Sequence, residues 1–442
     1  MSKPYEPRGL AVPSGRLGRA ARLGGLTSGI LGAMAVEGTR RLAGGQRPAA
    51  RDLLLTPGNA RRITEKLATM RGAAMKMGQL ISMEAGDLLP PELAQILAPL
   101  RAQAHFMPPA QLKRVLTANY GADFLKRFAR FDVRPIAAAS IGQVHRATAH
   151  DGRDLALKIQ YPGVRAAIDA DVRNVDTLLR MSGLLPRGLD LAPLLEEARK
   201  QLHDEADYAR EARYLARFGD LLKHDAAFRV PRHHADFSTS DILAMSFEPS
   251  HDIDDLAQAD QDTRDRAMTD LTRLFLKELF DWRMVQTDPN FANYRVDPES
   301  GRIVLLDFGA ARSFDEPLTE RFRALLRAGL AREREAIRAA MIAIGYFRDT
   351  TPSRQQEAIL RMADMALPMI ASHASFDFGD TALIARLRDE GMRLGVEEEF
   401  REIPPIDALF LQRKMAGLFL LATRLRARVP VRALIEPYVE RR

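Results

Sequence analysis

The sequence of 442 residues contains no cysteine. This absence excludes disulfide bonds, thiolate zinc sites, iron–sulfur clusters and cysteine nucleophiles, so any catalysis must use oxygen, nitrogen or a bound cofactor. Apolar residues make up 46% of the chain and charged residues 28%, close to the averages of soluble globular proteins. The composition therefore excludes a disordered or fibrous chain, and the length allows two or three domains.

Acidic and aromatic residues are scarce near the N-terminus. Residues 1–75 carry a net charge of +9, whereas the rest of the chain carries −2. Such a basic segment predicts a polyanionic partner. Nucleic-acid binding would need aromatic residues between the basic ones, but Tyr5 is the single aromatic residue in this segment. We therefore expect anionic membrane lipid as a partner and no nucleic acid.

Long apolar runs are also missing. The run LGGLTSGILGAMAV, residues 23–36, has fourteen uncharged residues between flanking arginines, fewer than the roughly 20 that span a bilayer. We predict that this run docks on the membrane interface, with a Gly-rich linker or a soluble packing helix as alternatives. Its small residues four apart, Gly25 with Gly29 and Ser28 with Gly32, suggest a homodimer through this run. No later stretch reaches eighteen uncharged apolar residues, so the rest is expected to be soluble.

Lysine is scarce beside arginine, at ten of the 65 basic residues, which is typical of a GC-rich bacterial genome. No transit peptide is evident. We therefore expect a peripheral protein on the cytoplasmic face of a bacterial inner membrane, with the mitochondrial matrix side as the eukaryotic counterpart.

Apolar periodicity and turn residues divide the remaining chain. Residues 51–134 are predicted to be helical, and two short apolar runs around Asp151 and Gly152 predict a β-hairpin. Helix is expected again from Val164 to Phe218, strands within residues 228–248, and helices from residue 262 and beyond Pro317. The predicted segments are a basic arm 1–50, a helical extension 51–134, a strand-containing part 135–250 with a helical insertion, and a helical part 251–442.

Three short motifs carry chemistry in a fixed order. Lys158 lies in the apolar strand LALKI, where it is either a solvated surface lysine or a group that neutralises nucleotide phosphates. Asp288 precedes Asn293 by five positions, the interval of a kinase catalytic loop, although Asp-Pro and Asn are also ordinary turn residues. Asp307 follows the apolar run IVLL and precedes Phe-Gly, a suitable place for a magnesium ligand. A second Asp-Phe-Gly at Asp377 lacks such a strand and is predicted to lie in a loop.

These motifs resemble the UbiB (AarF) family of atypical kinase-like proteins, above all its branch for coenzyme Q (ubiquinone) biosynthesis. The stretches that carry the resemblance are KMGQ 76–79, AAASIGQV 137–144, KIQYPGV 158–164, EADY 205–208, REA 210–212, the Asp288 and Asp307 motifs, FDFG 376–379 and RKM 413–415. The resemblance implies an α+β, atypical protein-kinase-like bilobal fold. Residues 135–250 would form a small β-containing N-lobe, residues 251–442 a helical C-lobe, and residues 51–134 the N-terminal extension.

The resemblance also implies roles for single residues. The nucleotide loop would comprise Ala137, Ala138, Ala139, Ser140, Gly142 and Gln143. Lys158 would contact phosphates and pair with an acid on the helix around 205–211; we favour Glu211 over Glu205, because Glu211 shares a helical face with Asp207. The extension would place Lys76 and Gln79 over the cleft, beside Glu205 and Asp207. Asp288 would be the catalytic acid/base, and Asn293 and Asp307 would bind magnesium.

The predicted function is therefore that of a membrane-associated atypical kinase or ATPase that binds ATP and Mg²⁺ and supports ubiquinone biosynthesis. An extension over the cleft disfavours protein substrates, so ATP hydrolysis or action on a small lipid-like molecule is expected, with quinone-biosynthesis proteins or lipid intermediates as partners. Gln286-Thr287 replaces the usual His-Arg before the catalytic Asp, which puts ordinary substrate handling in doubt. The alternatives are a pseudokinase scaffold for biosynthetic enzymes and a small-molecule phosphotransferase.

Overall fold

The computed structural model describes residues 106–139, 141–182, 192–380, 382–396, 400, 402 and 404–440. The predictions for the basic arm, for Lys76 and Gln79 in the extension, and for Ser140 lie outside the described residues.

The described residues form eleven α-helices. In chain order they are α1 Pro109–Tyr120, α2 Val164–Ser182, α3 Ala192–Ala206, α4 Tyr208–Leu222, α5 Gln261–Leu276, α6 Glu316–Ala331, α7 Arg334–Ile344, α8 Ser353–Ala371, α9 Ala382–Val396, α10 Ile406–Leu425 and α11 Val431–Val439. A π-helical turn, Lys277–Asp281, extends α5.

The strands are short except for two. They are β1 Phe128–Phe131, β2 Ala137–Ala138, β3 Gly142–Ala149, β4 Asp154–Gln160, β5 Phe228–Arg229, β6 Ile242–Ser246, β7 His251–Asp252, β8 Met284–Gln286, β9 Tyr294–Val296, β10 Ile303–Leu305, β11 Ala311–Ser313, β12 Phe376–Asp377 and β13 Arg428–Val429.

The first compact unit contains the described residues up to Ala216 together with Arg232–Phe247. Its antiparallel sheet has the order β1-β3-β4-β6, and β2 pairs with β3. The predicted β3–β4 hairpin is confirmed, and Gly152 in its turn has a φ of 86°, a conformation that glycine adopts without a steric penalty. Strand β4 is buried on both faces: Leu157 and Ile159 are 0% exposed and Lys158 is 4% exposed.

One strand corrects the prediction that residues 51–134 are helical. Phe128–Phe131 pairs with β3 and forms an edge of the sheet. The ring of Phe128 lies 5.4 Å from that of Phe237 and 5.9 Å from that of Tyr120, centroid to centroid. The contact with Phe237 joins distant parts of the chain, and a local apolar pattern does not reveal it because strand preference depends on tertiary packing.

The second unit contains Arg217–Pro231 and the described residues from Glu248 onward, and it is mainly helical. A four-stranded sheet with the order β5-β10-β9-β7 and a two-stranded β8–β11 sheet form its β-structure, together with the pair β12–β13. The second Asp-Phe-Gly was predicted to lie in a loop, but Phe376–Asp377 is a short strand paired with Arg428–Val429. The residue after this strand, Phe378, is 6% exposed and packs on Phe419, which anchors it.

Helix boundaries in the second unit follow local signals. Asp260 accepts a hydrogen bond from Thr263 N at the start of α5, and Asp315 accepts one from Leu318 N at the start of α6. Gly345 ends α7 with a φ of 98°. Within the described residues, no helix combines the length and the apolarity needed to cross a bilayer.

Candidate active site

The first unit buries an ion pair at the predicted nucleotide lysine. Lys158 Nζ donates hydrogen bonds to Glu211 Oε1 at 2.7 Å and to Glu211 Oε2 at 2.9 Å. The two side chains are only 5% and 1% exposed. The structure thus forms the favoured pair, and it excludes the reading of Lys158 as a solvated surface lysine. In protein kinases a strand lysine and a helix glutamate form the corresponding pair when the phosphate site is in place.

Tyr208 lies close to both Lys158 and Gly142, the first residue of β3. The Tyr208 ring centroid lies 5.4 Å from Lys158 Nζ, within the range of a cation–π contact. A Cβ added to Gly142 would lie 2.5 Å from the backbone oxygen of Ile159 and 2.9 Å from the Tyr208 hydroxyl. Glycine is therefore required at position 142 because β3 starts in direct contact with β4 and the beginning of α4.

The helix predicted to run through residues 205–211 is interrupted at Asp207. Helix α3 ends at Ala206 and α4 begins at Tyr208, and Asp207 Oδ1 accepts a hydrogen bond from Arg210 N at 3.0 Å. This N-cap satisfies a backbone donor at the start of α4 and favours the break over a continuous helix. Glu205 is therefore on α3 and Glu211 is on α4, so the assumption of one shared helix was wrong.

The end of α3 is held by residues that follow Lys158. Gln160 Nε2 donates to the Ala206 backbone oxygen at 3.0 Å, and Arg165 Nη2 donates to the same oxygen at 2.6 Å. These bonds satisfy a helix C-terminal carbonyl group that lacks an intrahelical partner. They place the half-buried Glu205 and Asp207 beside the end of β4.

The alanine-rich loop is a tight hairpin between β2 and β3. Ala137 pairs with Val144 and Ala138 with Gln143, and Ala139 N donates to the Gly142 backbone oxygen at 2.8 Å. Ala137 and Ala138 form β2, and none of the three alanines has a positive φ, so alanine fits where ordinary kinases use glycine.

Gln143 occupies a different environment from the rest of this loop. Its side chain is 1% exposed, its Oε1 accepts from Met107 N at 2.7 Å, and its Nε2 lies 2.7 Å from His145 Nε2. The amide is thus bound inside the unit, and its predicted nucleotide contact stays a prediction.

In the second unit, β-pairing brings the two other motifs together. Strand β8, which leads into Asp288, pairs with β11, which follows Asp307. Three further hydrogen bonds join the loops: Gln286 Nε2 to the Asp307 backbone oxygen at 3.2 Å, Thr287 Oγ1 to the Ala310 oxygen at 2.8 Å, and Leu306 N to the Asn293 oxygen at 3.2 Å. The Gln286-Thr287 pair that replaces His-Arg therefore has a structural task, which sequence reasoning missed.

Local turns orient both aspartates. Asp288 Oδ1 accepts a hydrogen bond from Asn290 N at 3.2 Å, and Asp307 Oδ1 accepts one from Gly309 N at 2.9 Å. Phe308, 1% exposed, packs on Phe218 with ring centroids 4.7 Å apart. The aromatic ring fixes the turn from inside, and both carboxylates are half-buried.

Asn293 and Asp307 fit a magnesium ion that also binds phosphate oxygens. Asn293 Nδ2 is buried without a hydrogen-bond partner, and a half-turn of the amide would put the carbonyl oxygen at that place. Asn293 and Asp307 would thus supply oxygen ligands, since Mg²⁺ usually takes one or two carboxylates and completes its shell with phosphates and water. Among the described residues, no group of three or more His, Cys, Asp or Glu side chains is placed to hold a metal ion.

Comparison with known proteins agrees with these features. Residues 99–341 match the model of the ABC1 atypical kinase-like domain. The chain is 37% identical over 422 residues to the mitochondrial atypical kinase COQ8 of Saccharomyces cerevisiae, which covers 95% of this chain and 84% of that relative. It is 36% identical over 431 residues to the mitochondrial atypical kinase COQ8B of Rattus norvegicus, at 96% and 80% coverage.

A solved structure shares the fold. Rv3197 of Mycobacterium tuberculosis, solved in complex with erythromycin, matches with a TM-score of 0.60 and 24% identity over 86% of this chain and 96% of its own. The predicted α+β kinase-like fold is confirmed, with one β-sheet unit and one helical unit. Since the domain match covers more than half of the chain and the relatives match nearly all of it, the chain belongs to the ABC1 (UbiB) family of atypical kinase-like proteins, in its coenzyme Q branch.

Proposed function

We propose that this protein binds ATP with Mg²⁺ and cleaves the terminal phosphate in support of ubiquinone biosynthesis, at a membrane surface. The phosphoryl acceptor would be water or a small lipid-like molecule. The family supports phosphoryl-transfer chemistry in general, and the proposal adds the nucleotide, the metal and the membrane.

The main support for the proposal comes from two loops of the second unit, which carry Asn293 and Asp307. Leu306 N, in the residue before Asp307, donates a hydrogen bond to the Asn293 backbone oxygen, and the Asn293 side-chain amide has a buried nitrogen without a partner. An orphaned buried polar atom costs free energy unless a ligand satisfies it. With the amide turned so that its oxygen takes this place, Asn293 and Asp307 would hold Mg²⁺, which would offset the negative charge of the phosphates.

Further residues in each unit would take the roles that the family resemblance implies. Asp288, oriented by Asn290 N, would accept the proton of the attacking hydroxyl group. Lys158, held by Glu211, would contact phosphate oxygens. The buried carboxylate offsets the lysine charge and holds the ammonium group through both of its oxygens.

The membrane part of the proposal depends on the basic N-terminal segment, residues 1–75, which has a net charge of +9. The two relatives named above are mitochondrial proteins. We propose a peripheral location, on the matrix side in a mitochondrion or on the cytoplasmic face of a bacterial inner membrane, with quinone-biosynthesis proteins or lipid intermediates as partners.

ATP hydrolysis by the full chain tests the proposal, measured with Mg²⁺ in the presence of anionic or neutral vesicles. Asp307→Asn keeps the oxygen that accepts Gly309 N and removes one charge, so it should abolish hydrolysis without unfolding the protein. The second Asp-Phe-Gly offers a matched control, because Asp377 Oδ1 accepts Gly379 N at 2.8 Å in the same kind of turn. Asp377→Asn should hydrolyse ATP like the wild type.

Three results would contradict the proposal: no Mg-ATP hydrolysis by the wild type, equal effects of the two Asp→Asn changes, or no difference between vesicle types. A pseudokinase scaffold would instead bind nucleotide and restore ubiquinone in a deletion strain when carrying Asp288→Asn. The catalyst proposed here would not.

A further inference from the structure

Two successive turns of helix α10 contact the loop that carries Asp288. Arg413 Nη2 donates a hydrogen bond to the Thr287 backbone oxygen at 3.3 Å, and Lys414 Nζ donates to Gln286 Oε1 at 3.4 Å. One turn further along, Gly417 lies against Pro289. The loop is thus contacted at Gln286, Thr287 and Pro289, on the N-terminal side of Asn290.

Lys414 is the centre of this contact. Its side chain is 3% exposed, its Nζ donates to the Tyr294 hydroxyl at 2.5 Å, and it lies 3.9 Å from Glu278 Oε2, itself a 2% exposed side chain. Lysines are almost never buried to this extent unless they are paired. Since Tyr294 follows Asn293 and Gln286 precedes Thr287, one ammonium group binds the chain before and after the loop.

Gly417 is needed for the close approach of α10 to the loop. A Cβ at this position would lie 2.4 Å from Pro289 Cβ and 3.2 Å from Pro289 Cα. Glycine inside a helix is less favourable than alanine, because its backbone loses more conformational freedom on folding. Helix α10 therefore contains a helix-destabilising glycine at position 417, where a methyl group would push away Pro289, the residue next to Asp288.

We propose that Arg413, Lys414 and Gly417 form a positioning surface that holds the Asp288 loop and Asn293 in register for phosphoryl transfer. They touch the loop and not the reacting atoms, so they are positioning residues. This inference rests on the proposed function. A displacement of about 1 Å in a catalytic group lowers turnover by roughly a hundredfold.

Gly417→Ala tests the surface, with Gly391→Ala in α9 as the matched control. Both changes replace a helical glycine, but a Cβ at Gly391 would meet only Met362 Cε, at 3.8 Å. Gly391→Ala should keep wild-type turnover. Gly417→Ala should lower kcat for ATP at least about tenfold and leave the nucleotide KM within about threefold. Equal kcat values for the two variants would overturn the proposal.

Lys414→Met gives a second test if Gly417→Ala does not fold. It keeps the apolar stem and removes the ammonium group, and Leu418→Ala on the same helix serves as its control, because Leu418 is buried and makes none of these loop contacts. At a temperature where circular dichroism shows both variants folded, Lys414→Met should lose turnover and Leu418→Ala should retain it. An equal loss of turnover in both variants would show that Lys414 only stabilises the core.

Hydrogen exchange separates this inference from the proposed function. Amides of residues 284–296 should exchange faster in Lys414→Met than in Leu418→Ala, whether or not the wild type hydrolyses ATP. Unchanged exchange in this segment would refute the positioning surface. Faster exchange together with an inactive wild type would keep the surface and refute the ATPase.

Discussion

Removing the ammonium group of Lys158 should destabilise the protein through the partner that it leaves behind. Lys158→Met keeps most of the side-chain volume but leaves the Glu211 carboxylate, 1% exposed, without the donor that binds both of its oxygens at 2.7 and 2.9 Å. Breaking a buried ion pair from one side costs about 3–5 kcal/mol. For a unit of this size, that lowers the melting temperature by on the order of 10 °C.

The double variant Lys158→Met/Glu211→Gln separates the charge effect from packing. Replacing both members of a buried pair by neutral groups is often close to neutral, so the double variant should recover at least about 2 kcal/mol of the loss. Lys126→Met is the control, because Lys126 and Asp123 form a pair that is 79% and 76% exposed. Its loss should not exceed about 1 kcal/mol.

Thermal unfolding followed by circular dichroism measures all four proteins, and ATP hydrolysis is measured at a temperature where each is folded. We expect the double variant to be stable and inactive. The reasoning would be refuted if Lys158→Met melted like Lys126→Met, or if the double variant were no more stable than Lys158→Met.

Three further predictions concern stability. Gly142→Ala, whose Cβ would lie 2.5 Å from the Ile159 oxygen, should cost about 1–3 kcal/mol in denaturant unfolding; an unchanged midpoint would contradict the close approach. Burial raises the pKa of Glu278 from 4.5 to about 7 despite the opposing charge of Lys414, so stability should fall by on the order of 3 kcal/mol as the pH rises from about 4.5 to 7. Glu278→Gln should remove this slope in melting curves across that range, and a persistent slope would assign it to other groups. Gly345→Ala, at a φ of 98°, should cost more than about 1 kcal/mol, which calorimetry would detect as a lower melting temperature.

The sequence predicted much of the local structure correctly. The β3–β4 hairpin follows from two apolar runs around Asp151 and Gly152, and the preference for Glu211 over Glu205 gave the partner that Lys158 has. The hairpin depends on short-range patterns and turn chemistry, which a sequence displays directly. The preference for Glu211 named the correct residue, but it assumed a continuous helix that is interrupted at Asp207.

Other features depend on contacts between distant residues. The strand at Phe128 forms because its ring packs on Phe237, and the second Asp-Phe-Gly is a strand because it pairs with Arg428–Val429. The helix break at Asp207 depends on a local N-cap, in which the Asp207 side chain accepts a hydrogen bond from Arg210 N. The residue pattern is also compatible with a continuous helix, so it does not reveal the break.

The sequence by itself determined the family and the order of the chemical motifs, because these are carried by residue types at fixed intervals. Only the tertiary structure decided how the loops are held: Gln286 and Thr287 bond across to the Asp307 turn, and Lys414, which lies over a hundred positions further along the chain, binds the segment around Asp288. A buried charge must find its partners wherever the fold brings them. That requirement has no signature in a local pattern.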